Sequence, residues 1–116
     1  MAEQVIEFEF PIKISTNAIY SGVHWTKRQK HKEIYLWSFL ALKSQITPVY
    51  ACDLDFTFGF NTKPLDCDNC AYMVKLIIDC LRYYGKIKDD TPEYIRSIKI
   101  TSKKASKNSV IIKIFG

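Results

Sequence analysis

The sequence lacks a hydrophobic run long enough to cross a membrane. Its longest strongly apolar stretch, residues 70–81, is interrupted by Lys75 and Asp79, whereas a spanning helix needs about 20 predominantly apolar residues. Residues 1–10 alternate acidic and apolar side chains and lack the basic start and apolar centre of a secretory signal. We therefore expect a cytoplasmic protein with no membrane partner.

Internal repeats and low-complexity segments are also absent. The 116 residues are 47% hydrophobic and 25% charged, a balance that is typical of a packed globular protein and argues against disorder. This length fits one domain, residues 1–116, and a domain this small leaves an appreciable share of its surface for a partner to cover. A homo-oligomer is therefore compatible with the sequence.

Closely spaced cysteine pairs are scarce. Cys67 and Cys70 form the one Cys-x-x-Cys pair, and the intervals to Cys52 and Cys80 match no common zinc module. Reduced thiols are expected in a chain without an export signal, and Asp68, between the two sulfurs, disfavours the thiolate that redox chemistry needs. A zinc or thiol protein built on this pair stays an alternative to the main prediction.

Acidic residues are outnumbered: 12 Asp and Glu stand against 17 Lys and Arg, which gives a net charge of +5 and a pI near 9.0. Such a surplus favours a polyanionic partner such as DNA. The segment 24–32 is the densest cationic stretch, and positive charge at the start of a predicted helix opposes the helix dipole, which favours phosphate contact over a merely solvated helix start. A second basic stretch lies at 103–107. The candidate DNA-binding residues in these stretches are His24, Lys27, Arg28, Lys30, Lys32, Lys103, Lys104 and Lys107.

Hydrophobic periodicity predicts an α/β or α+β domain with a mixed sheet and two main helices. Pro11 should lie at an edge or bulge of the first strand, and Gly85 should close the second main helix. The segment 15–25 is expected to be an extended loop with several groups that could touch a ligand, Asn17 among them. The expected strands are 5–14, 49–60, 93–101 and 109–115, and the expected helices are 26–44 and 69–83.

Acidic side chains flank the second main helix. Asp66 and Asp68 precede it, and Asp89 and Asp90 lie in the turn that follows it. Residues i and i+2 of an extended segment point the same way, so Asp66 and Asp68 would share one face, and a returning chain could bring Asp90 beside them. Crowded carboxylates repel one another unless a cation lies among them, and magnesium prefers such oxygen ligands. These residues therefore point to a magnesium-dependent nuclease.

Each of these aspartates also has a purely structural interpretation: Asp68 as a helix cap, Asp66 as a turn residue and Asp90 as the start of a turn. Lys75 and Asp79, in the helix between them, could likewise form an ordinary i, i+4 ion pair. Both lie on the helix face that Asp68 shares by i+7 spacing, which keeps Lys75 within reach of the acidic residues.

One pattern runs through the segment 64–90. An Asp-x-Asp-Asn motif opens a helix that carries a lysine and an aspartate four residues apart, and a glycine and an Asp-Asp pair follow. In this pattern the chain resembles the RusA family of phage and prophage Holliday junction resolvases. The interval of seven between Asp68 and Lys75 is longer than is usual in that family, by about one helical turn. The matching residues are Asp66, Asp68, Asn69, Lys75, Asp79, Gly85, Asp89 and Asp90, with Asn17 in a preceding loop.

The resemblance implies an intertwined homodimer that binds four-way DNA junctions and nicks two strands symmetrically. Asp66, Asp68 and Asp90 would hold Mg²⁺, for which Mn²⁺ could substitute. Lys75 would stabilise the charge that develops on the phosphate or orient the attacking water, so these four are the candidate catalytic residues. The shifted lysine leaves a second alternative, a protein that binds junctions or branched DNA but has altered or lost cleavage.

Overall fold

A four-stranded mixed β-sheet covered on one face by helices forms the protein, described here by a computed structural model of residues 3–20 and 25–116. The predicted α+β class, with a mixed sheet and two main helices, is confirmed. The strands are β1 (Glu3–Phe8), β2 (Cys52–Phe60), β3 (Ile95–Lys104) and β4 (Ser109–Phe115), and the α-helices of the described residues are α1 (Thr16–Tyr20), α2 (Trp25–Phe39) and α3 (Ala71–Tyr83).

The strand order β1-β4-β2-β3 places β1 and β3 at the two edges of the sheet. β4 pairs antiparallel with both β1 and β2, whereas β2 and β3 pair in parallel. A parallel pair needs a crossover connection, and α3 supplies it. The end of β2 and the start of α3 therefore lie at one end of the sheet, and the end of α3 and the start of β3 lie at the other.

Alternation along β2 explains its central position. Leu54, Phe56 and Phe58 are buried against the helices, while Asp53 and Asp55 lie half-buried on the opposite face. One face of the sheet is thus a continuous apolar surface, and burial of each large side chain in it contributes about 1.5–3 kcal/mol.

β1 is shorter than the predicted strand 5–14. Apolar alternation does continue past it, and Phe10 is buried. Backbone pairing nevertheless ends at the Phe8–Val110 pair, because β4 begins only one residue before Val110 and Pro11 has no N–H to donate. The strand prediction was therefore wrong beyond Phe8. There the alternation of apolar and polar residues indicates which side chains are buried, but the backbone does not pair with another strand.

The predicted loop 15–25 contains a short helix, α1, and the predicted helix 26–44 is α2 followed by a 3-10 turn. Tyr35 and Phe39 hold α2 on the sheet, because both are fully buried. Their rings meet the ring of Phe8 edge-on, at centroid distances of 5.9 and 5.2 Å. These contacts hold the second half of α2 against the sheet, and the basic residues lie in its first half.

Gly85 ends α3, as predicted. Its φ of +74° lies in the left-handed region, which glycine adopts without a steric penalty. The Gly85 N–H donates to the Arg82 carbonyl at 3.0 Å, and the Lys86 N–H donates to the Leu81 carbonyl at 2.8 Å. This pair of bonds is a Schellman motif, which turns the chain sharply away from the helix axis.

The remaining predicted elements are confirmed: β4 matches at both ends, β2 and α3 begin three and two residues later than predicted but end as predicted, and β3 shifts by two residues at its start and three at its end. β3 extends further than expected because its pairing with β2 continues to Lys104. Among the described residues, no helix combines the length and apolar character that crossing a membrane requires.

Gly59 lies near the end of β2, where an added Cβ would meet the Cβ of Ala105 at 2.7 Å. We expect Gly59→Ala to lower the free energy of unfolding by about 1–3 kcal/mol, because overpacking displaces rigid neighbours. Urea unfolding measures the loss. In an Ala105→Gly background the same change should be less harmful, since the colliding methyl group is gone. An equal loss in both backgrounds would contradict this explanation.

Candidate functional site

Asp66 and Asp68 lie in the second part of the connection from β2 to α3, residues 64–70, which we call the aspartate turn. Asp66 has an extended backbone (φ −63°, ψ 152°), whereas Asp68 lies in a 3-10 turn. The Asn69 N–H donates to the Asp66 carbonyl at 2.9 Å, which winds the chain immediately after Asp66. The prediction that both carboxylates project from one extended segment was therefore wrong. Both side chains are exposed.

Neither aspartate caps a helix through its side chain. Asp66 precedes the 3-10 turn without a capping hydrogen bond, and Cys70 is the residue that precedes α3. The interpretation of Asp68 as a helix cap was therefore wrong, and its carboxylate is available for another role.

Thr16, at the start of α1, fastens the aspartate turn to α3. Its hydroxyl lies 3.1 Å from the Asn69 carbonyl and 3.3 Å from the Asp68 carbonyl, and it accepts the Tyr72 backbone N–H at 3.0 Å. The first turn of a helix leaves such N–H groups without intrahelical partners, so Thr16 acts as a cap supplied by another segment. Asn17 adds a contact through its backbone N–H, which donates to Asn69 Oδ1 at 3.2 Å.

Sequence reasoning singled out Asn17 and missed Thr16. The Thr16–Tyr72 bond joins residues that are 56 positions apart, so no local spacing or periodicity records it. Asn17, whose side chain is exposed, stays a predicted DNA contact.

We expect Thr16→Val to lower the free energy of unfolding by about 1–2 kcal/mol, because it keeps the shape of the side chain but removes the hydroxyl that accepts the Tyr72 N–H. Thr16→Ser keeps the hydroxyl and should lose much less. Urea unfolding of the two variants measures the difference. Equal losses in the valine and serine variants would show that the hydroxyl does not hold the turn.

A cleft of about 390 Å³ adjoins the aspartate turn on the side of α2. It is lined by Lys13, Lys27 and His31, and by Leu65, the residue before Asp66. Burial, with a smaller effect from the Lys27 charge, lowers the pKa of His31 below its ordinary value, so the imidazole is neutral near pH 7. Two lysines are thus the cations of this cleft, beside an exposed carboxylate pair.

Asp89 and Asp90 lie at the other end of α3, where Arg82 contacts both. Its guanidinium nitrogens lie 3.4 Å from Asp89 Oδ1 and 3.6 Å from Asp90 Oδ2. The 13 residues of α3, at about 1.5 Å each, separate its two ends by about 20 Å. In the single chain Asp90 is paired with Arg82 of the last turn of α3, and it is not grouped with Asp66 and Asp68 into a metal site as expected. Within residues 3–20 and 25–116, no three His, Cys, Asp or Glu side chains are grouped so that they could hold a metal ion.

Lys75 lies on α3 between these two groups of aspartates. The i, i+4 ion pair with Asp79, weighed as an alternative, is not formed, because Asp79 contacts Lys32 at 3.8 Å and Arg82 at 3.5 Å instead. Lys75 lines a cleft between α2 and α3, and it lines a second cleft between α3 and β3 together with Asp90.

The basic half of α2 is a solvent-exposed surface. The first turn of α2 contains no acidic residue, so the helix dipole and the side chains both contribute positive potential there. His24 lies outside the described residues. The predicted DNA-binding residues on this surface are Lys27, Arg28, Lys30 and Lys32, all of which are exposed.

The second basic stretch lies at the end of β3 and in the turn that follows. Lys103 and Lys104 are exposed, and the Lys104 ammonium donates to a backbone carbonyl at 2.9 Å. Lys107 contacts the carboxylates of Glu9 and Glu7 at 2.9 and 3.2 Å, and hydrogen bonds to these two groups raise its pKa. Lys107 is therefore already paired within the chain, which makes it the weakest of the three for phosphate contact.

Cys67 and Cys70 are free thiols, the first exposed and the second buried. Burial raises the pKa of Cys70 to about 11; a hydrogen bond with Ser102 opposes this effect, and the nearby Asp68 charge adds to it. A thiol with this pKa is protonated near neutral pH, whereas nucleophilic attack and metal binding need the thiolate. These properties disfavour the thiol alternative.

The predicted resemblance to a known family depends on the sequence motif in residues 64–90. No protein-family model matches the chain, and no curated protein matches its sequence.

Proposed function

We propose that this chain is a magnesium-dependent endonuclease that acts as a homodimer on four-way DNA junctions. The observation that carries this proposal is the aspartate turn: Asp66 and Asp68 are exposed, the turn is held by Thr16, and a cleft that contains two lysines adjoins it. The choice of a four-way junction as substrate and of a two-fold dimer is based on the resemblance of the segment 64–90 to the RusA family.

A second copy of the chain would supply the carboxylate that one chain lacks. Asp66 and Asp68 precede α3, whereas Asp90 follows it and contacts Arg82 in its last turn. Two copies whose α3 helices run antiparallel across a two-fold axis would place the partner's Asp90 beside the aspartate turn. Such a dimer has two equivalent sites, which suits paired nicks in a symmetric junction.

The surface between α3 and β3 supports this arrangement. It contains a cleft of about 440 Å³ with Lys75 and Asp90 in its lining. β3 is an edge strand, and Ile98 in its middle is 45% exposed. An open strand edge beside exposed apolar side chains favours association with another chain. The apolar lining residues are Ala71, Val74, Ile78, Ile95, Ile98 and Ile100.

The aspartates, Lys75 and the lysines of α2 would have different roles in the proposed reaction. Magnesium held by the three aspartates would lower the pKa of a bound water and offset charge on the phosphodiester. Lys75 would stabilise the negative charge of the phosphate that is cut. The lysines of α2 would hold the DNA backbone, so that affinity falls as salt rises.

A second candidate function, junction binding without cleavage, is favoured by the contact between Arg82 and Asp90. A carboxylate that stays paired with a guanidinium is less available to a metal ion. The basic surface of α2 would then bind the junction while the metal site stays incomplete.

Incubation of the chain with a labelled synthetic four-way junction, with and without Mg²⁺, tests both candidates. Paired symmetric nicks from the wild type that disappear without Mg²⁺ and in Asp68→Asn would support the endonuclease. Tight junction binding without nicks would reject it in favour of the binding protein. Equal affinity for the junction and for a linear duplex of the same length would contradict both.

A further inference from the structure

A groove runs between α2 and α3. It consists of two adjoining cavities, of about 270 and 340 Å³, that share Lys32, Leu76 and Asp79. A volume of this order accommodates a small organic ligand, whereas a double helix is far too wide to enter. The basic side chains that line the groove are Arg28, Lys32, Lys75, Arg82 and Lys88.

Asp79 is the carboxylate in the middle of this groove, and it is incompletely paired. Its side chain is 14% exposed. Its Oδ1 contacts Arg82 at 3.5 Å, but its Oδ2 is buried and accepts no hydrogen bond; the nearest ammonium, that of Lys32, is 3.8 Å away. In the described part of the chain it is the one buried side-chain oxygen or nitrogen without a hydrogen-bond partner. Such groups are rare in folded proteins, and their burial destabilises them, so the Asp79 carboxylate can accept a further donor that enters the groove.

Aromatic side chains lie at both ends of the groove. Trp25 lines the smaller cavity and Tyr83 lines the larger one. Their exposed fractions, 62% and 71%, leave ring surface on which another flat ring can stack. Stacking of a base on an aromatic side chain is worth about 1–3 kcal/mol.

We propose that the α2–α3 groove binds an unpaired nucleotide of a DNA strand. The phosphate would contact the lysine side chains, the base would stack on Trp25 or Tyr83, and an amino group of the base would donate to the Asp79 carboxylate, which is 14% exposed in the groove. A simple anion accounts for the cations but not for Asp79, which would repel it. The ligand must therefore combine negative charge, a flat ring and an N–H donor.

The chemistry of Asp79 selects among bases. Adenine, cytosine and guanine each carry an exocyclic amino group, which thymine lacks. The one ring N–H of thymine lies between two carbonyl oxygens that would repel the carboxylate. The groove should therefore prefer an unpaired cytosine to an unpaired thymine.

This inference rests on the proposed function for the identity of the strand, since the nucleotide would come from the crossover of the junction, where a base pair would have to open. Its test is nevertheless separate, because it measures binding in EDTA with neither magnesium nor cleavage. A chain that nicks junctions but fails this test would lose only the groove assignment.

The first measurement is tryptophan fluorescence during titration with single-stranded dC10. Trp37→Phe leaves Trp25 as the one tryptophan, and Trp25→Phe leaves Trp37, which is 75% exposed on the same helix but does not line the groove. We expect dC10 to quench the emission of Trp25 and to leave that of Trp37 unchanged. Equal quenching of the two, or of neither, would overturn the assignment. An acidic peptide that quenched Trp25 as strongly as dC10 would also overturn it.

The second measurement compares the affinities of labelled dC10 and dT10. In the wild type we expect dC10 to bind about tenfold more tightly, the lower range of discrimination by one well-placed polar contact. Asp79→Asn keeps the shape of the side chain but presents both a donor and an acceptor, so its preference should fall to about twofold or less. A ratio that is the same in both proteins would show that Asp79 does not contact the base.

Discussion

Chains with Asp68→Asn and chains with Asp90→Asn, each inactive alone, are expected to recover junction nicking when they are mixed and exchange subunits. Each substitution should reduce nicking by at least about 100-fold, since loss of even a group that only supports a metal ligand commonly costs 10–100-fold. In a dimer whose sites combine the aspartate turn of one chain with Asp90 of the other, the mixed dimer has one intact site. An equal mixture should show roughly a quarter of the wild-type rate, because about half of its dimers are mixed.

Asp66→Asn mixed with Asp68→Asn is the matched control. Both residues come from the same end of α3, so every mixed dimer is defective at both sites and no activity should return. Gel separation of nicked from fully resolved junctions adds a second readout, because one intact site per dimer produces nicks without resolution. Wild-type cleavage together with no recovery in the Asp68→Asn and Asp90→Asn mixture would reject the shared site while leaving the nuclease intact.

A cross-link tests the same arrangement without metal or DNA. Cys67 is exposed in the aspartate turn, and in Asp90→Cys it could form a disulfide between chains only if a second copy brings position 90 within about 7 Å of it, measured between Cα atoms. Mild oxidation of this variant should give a covalent dimer on a non-reducing gel. The double variant Cys67→Ser/Asp90→Cys should give much less, and an equal yield would show that the two ends of α3 do not meet.

Burial could be predicted from the sequence, because it is recorded by local alternation. The alternating residues of β2 and the apolar faces of α3 are buried as their patterns indicate. Pairing could not be predicted in the same way, since it depends on which other strand is present. Phe10 alternates and is buried but has no strand partner, and the parallel pairing of β2 with the edge strand β3 leaves no mark within either segment.

The same distinction between local spacing and contacts across the fold applies to the candidate site. The Asp-x-Asp-Asn motif predicts that Asp66 and Asp68 lie together before a helix. This prediction needs no knowledge of the fold, because the two residues are only two positions apart in the sequence. The position of Asp90 depends on the direction from which the chain returns, and here β3 begins at the far end of α3. The role of Thr16 could not be predicted for a related reason, because it depends on a contact across the fold rather than on a spacing along the chain.

Tyr35→Ala is expected to lower the free energy of unfolding by about 3–5 kcal/mol, as for other large-to-small changes at buried aromatic residues. Tyr35 is fully buried, its ring contacts that of Phe8, and its hydroxyl donates to the Ile12 carbonyl at 2.7 Å. Burial raises the pKa of Tyr35 above its ordinary value, so the hydroxyl remains a donor throughout the neutral range. The side chain thus joins α2 both to the sheet and to the segment that precedes α1.

Tyr35→Phe separates the two contributions. It keeps the ring and removes the donor, so the Ile12 carbonyl loses its partner and the loss should be about 1–3 kcal/mol. Urea unfolding of both variants gives the difference, which reports ring packing alone. Equal losses would mean that the hydrogen bond, not the ring, holds α2. Because α2 carries the basic surface and one wall of the α2–α3 groove, a variant with loosened ring packing should also lose affinity for dC10, while Tyr35→Phe should retain most of it.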